Sequence, residues 1–130
     1  PPQASRGNLG VRQAGAGSSW GRLLREVLRV EAGVSTLAPA AVARQTTAEA
    51  VTVVPGTGYG LGWYIGTRSW AHGKVLFHDG TNGGNHSLTH VAPLRGVAFL
   101  ATTNGYGPGW SRPALDALIL RLITFHDAGR

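Results

Sequence analysis

The 130-residue sequence has no cysteine, no methionine, one lysine and only six acidic residues. The missing cysteines exclude disulfides and thiolate zinc sites, and they leave the redox compartment unreadable. No apolar run approaches the roughly 20 residues of a membrane span, and no signal peptide is visible. A periplasmic or extracellular location would follow only from a signal peptide ahead of the chain. With no methionine and a loop-like opening, Pro1-Pro2-Gln3-Ala4-Ser5-Arg6-Gly7-Asn8, the N-terminus reads as a cut. Residues 1–17 are expected to be an irregular segment, 18–125 the folded part and 126–130 a tail.

The shortage of acids leaves a net charge of +6, from 12 basic residues of which 11 are arginine. That sign suits nucleic acid or acidic polymers, but it needs the cations gathered on one surface. Here they are scattered, and only Arg22, Arg25 and Arg29 share a helical face, so no nucleic-acid partner is expected. The 42% hydrophobic content is ordinary for a globular domain.

In 18–31, Trp20, Leu23, Leu24, Val27 and Leu28 fall at helical spacing, with a serine cap before them and Gly33 just past the end. A short helix is expected from Pro39. An extended stretch, VTVVPGTG, follows. Strands are then expected at 59–66, 74–78, 85–92 and 96–104, joined by short links that favour antiparallel neighbours. Pro93-Leu94-Arg95-Gly96 has turn chemistry. The last element is a helix over 111–125, with Ser111 as its cap and Leu115, Leu118, Ile119, Leu122 and Ile123 as its apolar stripe. The fold class is α+β, an antiparallel sheet with flanking helices.

One stretch, VLFHDGTNGGNHSLTHVAP at 75–93, is richer than a hairpin requires. It places His78, Asp79, Gly80, Thr81 and Asn82 where one strand gives way to the next. His86 and His90 invite a metal reading. Four residues along a strand, however, separate them by about 13 Å, too far to share an ion. No metal or other cofactor is expected. Trp63, Tyr64 and Trp70 read as core and sheet-surface residues, and the glycines at 58, 60, 62 and 66 do not precede a helix as a phosphate loop would.

The order of the pieces is more specific than any one of them. YGLGW at 59–63 is followed by WAHGKVLFHDG at 70–80, TNGGN at 81–85, APLRG at 92–96 and VAFLATTNG at 97–105. Over roughly residues 15–125 this resembles the C-terminal part of the serine beta-lactamase-related family: class C beta-lactamases, D-alanyl-D-alanine peptidases and their esterase relatives. The resemblance implies the C-terminal portion of a beta-lactamase/transpeptidase-like fold. It also implies hydrolysis of an amide, ester or β-lactam through an acyl-serine intermediate, with a small molecule or peptide as substrate.

On the same resemblance His78 takes the first position of the family's K-T-G or H-x-G motif, and Gly80 keeps the strand edge clear for substrate. Thr81 would present a backbone N–H to the oxyanion hole, and Asn82 would lie near the substrate's polar groups. The middle position departs from the family pattern, because it is Asp79. Either that carboxylate bonds His78, or it points to the strand's other face, which alternation favours. The nucleophilic S-x-x-K motif is missing too: the only lysine, Lys74, has Ala71 three residues before it. No tyrosine starts a Y-x-N or Y-x-S motif. The chain alone is therefore expected to be inactive, contributing one wall of a larger site. The alternative is a non-catalytic binding or structural domain of the same fold.

Overall fold

The structure, a computed structural model, describes residues 19–37 and 51–129. The expected helix at Pro39 and the irregular 1–17 segment lie outside them. The described residues hold two α-helices and a six-stranded antiparallel sheet in sequential order: α1 (Ser19–Glu31), β1 (Val51–Val54), β2 (Thr57–Gly60), β3 (Trp63–Arg68), β4 (Gly73–Thr81), β5 (His86–Ala92), β6 (Val97–Thr103) and α2 (Ser111–Ala128). The α+β expectation holds at this level. No helix among the described residues is long and apolar enough to cross a membrane.

Two compact units divide these residues, one with 19–37, 51–78 and 89–99 and the other with 79–88 and 100–129. In the first, Ala71, Val75 and Ala92 are buried together, with Trp70, Phe77 and Val97 packed on them. Burying a side chain the size of valine is worth about 1.5–3 kcal/mol, so this small cluster is a substantial part of the unit's stability. Arg95 fastens the turn after β5 by donating to the Trp70 carbonyl at 2.8 Å, its guanidinium lying over the indole. At the end of α1, Glu31 has a nearly buried side chain and pairs with Lys74 at the start of β4. In the second unit the buried residues of α2 are Ser111, Leu115, Ile119 and Ile123, a single stripe at four-residue spacing.

Three local expectations change. Residues 59–66 are not one strand, because Leu61 and Gly62 have φ of 49° and 84° and turn the chain back, with Gly60 opposite Trp63. Two left-handed residues in succession make the turn that suits a tight hairpin. The strand carrying His78 runs on to Thr81 rather than stopping at 78, which confines the turn to 82–85. Finally, Ser111 lies inside α2 instead of capping it; Trp110 holds the cap position without a side-chain bond.

Candidate functional site

The β3–β4 ladder runs from Arg68↔Gly73 to Tyr64↔Phe77, and β4 then continues through 78–81 beyond the last rung. His78, Gly80, Thr81 and Asn82 are all exposed on this overhang and the turn that follows. The His78 ring stacks on Tyr64 with centroids 6.2 Å apart. A side chain at Gly80 would meet no atom within 4 Å, so the strand there is bare on that face.

The turn accounts for two of these residues by itself. Thr81 Oγ1 donates to the Asn85 carbonyl at 2.7 Å and accepts from the Gly83 N–H at 3.0 Å. Asn82 Oδ1 accepts from the N–H groups of Gly84 and Asn85 at 3.0 and 2.8 Å. Side-chain oxygens that stand in for backbone acceptors are what Thr and Asn commonly supply in turns.

Asp79 faces away from this row, as strand alternation requires, and its partners lie in the second unit. His86 Nε2 is 3.0 Å from Asp79 Oδ2, and Arg112 reaches Asp79 Oδ1 at 3.1 Å. Arg112 also donates through Nε to Asp116 at 3.0 Å, one turn further along α2. The other His86 nitrogen, Nδ1, is 3.0 Å from Ser111 Oγ. Partial burial by itself would raise the Asp79 carboxyl. The hydrogen bond from His86 and the charge and hydrogen bond of Arg112 outweigh it, so the carboxyl sits below its ordinary value of 3.8. An ionised carboxylate only accepts, which puts a proton on His86 Nε2.

The Ser111 hydroxyl has one proton and two acceptors in reach, His86 Nδ1 and the Gly107 carbonyl at 2.9 Å. If the proton goes to Nδ1, Gly107 still accepts from the N–H groups of Trp110 and Ser111, at 3.1 and 3.0 Å. With Nε2 protonated, the neutral ring's Nδ1 is the acceptor for the hydroxyl proton, and both Nδ1 and the Gly107 carbonyl are then satisfied.

Serine, imidazole and carboxylate follow one another here in the order of a nucleophilic triad. Accessibility decides against that role. Ser111 is 1% exposed and His86 4%, with the Tyr106 ring edge-on against the imidazole, so no substrate carbon can reach the hydroxyl. The relay fixes the start of α2 to the end of β4.

Sequence reasoning brought His78, Gly80, Thr81 and Asn82 onto one strand end, and missed the relay. Alternation could turn Asp79 away from His78, but nothing local ties it to a serine 32 positions later. Among the described residues no three His, Cys, Asp or Glu side chains gather as metal ligands would. No protein-family model, curated protein or solved structure matches the chain.

Proposed function

We propose that this chain forms one wall of the active site of a beta-lactamase-related serine hydrolase, acting on an amide, ester or β-lactam. The supporting observation is the β4 overhang. Past its last rung with β3, the strand leaves backbone groups at 78–81 beside a side-chain-free Gly80, with His78 exposed at its head. A substrate carbonyl laid along that strand could take a backbone N–H from Thr81, while His78 contributes a polar group to proton transfer. The relay beneath fits this role, because it holds Asp79, and with it the strand, from the opposite face.

A second reading is favoured by the turn. Thr81 Oγ1 and Asn82 Oδ1 are both engaged by the turn's own backbone, so those residue types need no ligand to explain them. On that reading the chain is a binding or structural domain of the same fold. Assay of the full encoded protein with a chromogenic β-lactam and a short-chain nitrophenyl ester separates the two. The hydrolase reading expects turnover that His78→Ala lowers by about a hundredfold or more. Turnover unchanged in the variant, or an encoded sequence without S-x-x-K, favours the structural domain.

A further inference from the structure

Three side chains in the second unit are followed directly by glycine: Asp79, Asn82 and Asn104. In such pairs the next residue's backbone nitrogen can attack the side-chain carbonyl carbon and close a five-membered succinimide. Glycine permits this best, because it has no Cβ in the way and few backbone restrictions. Sequence alone leaves the two Asn-Gly pairs equivalent. Even the following N–H groups have one kind of partner: Gly83 donates to Thr81 Oγ1 at 3.0 Å and Gly105 to Thr103 Oγ1 at 3.2 Å.

The side chains separate them. Asp79 is held through one oxygen by His86 and through the other by Arg112. Its ionised carboxylate has no leaving group, so it would first have to take up a proton and release both partners. Asn82 Oδ1 accepts from the Gly84 and Asn85 N–H groups at 3.0 and 2.8 Å, which locks its side chain to the turn's backbone. Asn104 is exposed just past the end of β6, and its side chain makes no hydrogen bond among the described residues. The fold also keeps glycine after it, since a Cβ on Gly105 would lie 3.0 Å from the Trp110 ring.

We infer that Asn104 is a site of spontaneous modification in the folded protein, converting through a succinimide to aspartate or isoaspartate, while the turn protects Asn82. The Gly105 nitrogen gives up its proton and attacks Asn104 Cγ, the Cγ–Nδ2 bond breaks, and ammonia leaves. Water then opens the ring at either carbonyl. One opening restores the main chain with an aspartate, and the other routes the main chain through the former side chain. Either product puts a negative charge where a neutral amide stood. The isoaspartate also lengthens the β6–α2 connection by one carbon, three residues before the Gly107 carbonyl that accepts from the Trp110 and Ser111 N–H groups. Asn104 has no part in the hydrolase reading, so the inference stands apart from it.

The test is incubation of the full encoded protein in warm alkaline buffer, folded and in urea, followed by peptide mapping that separates asparagine, aspartate and isoaspartate forms. In the folded protein Asn104 should convert at least about tenfold faster than Asn82, the factor expected when hydrogen bonds of ordinary strength must first be given up. In urea the rates at the two sites should converge. Asn104→Gln, whose longer side chain would have to close a six-membered ring, should stop conversion at that position and leave the Asn82 rate unchanged. The inference falls if Asn104 does not convert in the folded protein, or if Asn82 keeps pace with it there. It falls equally if the gap persists in urea, because local sequence and not the turn would then set it.

Discussion

Asp79 carries more of the structure than its place in a hairpin suggests. Its carboxyl is held below the ordinary value of 3.8, so the folded state binds its proton more weakly than the unfolded chain does. The resulting stabilisation is fully present above the unfolded value and is lost as pH falls through the lower, folded one. Asp79→Asn should cost about 1–2 kcal/mol at neutral pH. Urea melts of parent and variant should converge as pH drops below about 4. A gap that stayed constant down to pH 2 would mean that the carboxylate's charge is not what the relay uses. The direction in which Asp79 points was legible, because alternation depends only on neighbours along a strand. Its partners were not, since the 25-position separation of His86 and Ser111 is bridged by tertiary packing alone. The same limit misassigned Ser111. A serine before an apolar stripe resembles a cap, and only the buried imidazole beside it gives it a different role.

Among elements, those whose signal is local matched the structure best. Helix α1 ends as its glycine announced: Gly33 has φ of 72°, its N–H bonds the Val30 carbonyl, and the Val34 N–H reaches back to Arg29. That pair of bonds is the Schellman closure. Pro93–Arg95 likewise forms a short helical turn ended by left-handed Gly96. The β2–β3 hairpin was harder, because Leu61 occupies a left-handed position where Asn or Gly normally signals the turn. Aromatic and glycine residues on both sides made 59–66 read as continuous strand. Leucine there adopts φ of 49° while 55% exposed, so it accepts strain without gaining burial. Leu61→Asn should therefore stabilise the protein by about 0.5–1 kcal/mol, read as a higher melting temperature. Destabilisation would show that the leucine makes an apolar contact worth more than its strain.

At the scale of the molecule, sheet order and class followed from the short links between strands, since neighbours in sequence pair readily when little chain separates them. What composition could not convey is how the first strand stands. β1 is a terminal strand of the sheet, with Val51, Val53 and Val54 exposed at 63%, 47% and 55%, and no charged residue lies on it. Natural edges are usually blunted by lysine, proline or cover. Val53→Lys should lower the sedimentation-average mass at high protein concentration and leave the melting temperature within about 0.5 kcal/mol equivalent of the parent. An unchanged mass would mean that this edge does not mediate association. The consequence is practical. If the edge pairs with its own kind, the useful concentration of this protein will be limited by a four-residue strip of valine and threonine. Its working range would then be set by dilution and ionic strength, which modulates the mutual repulsion of +6 chains, more than by heat.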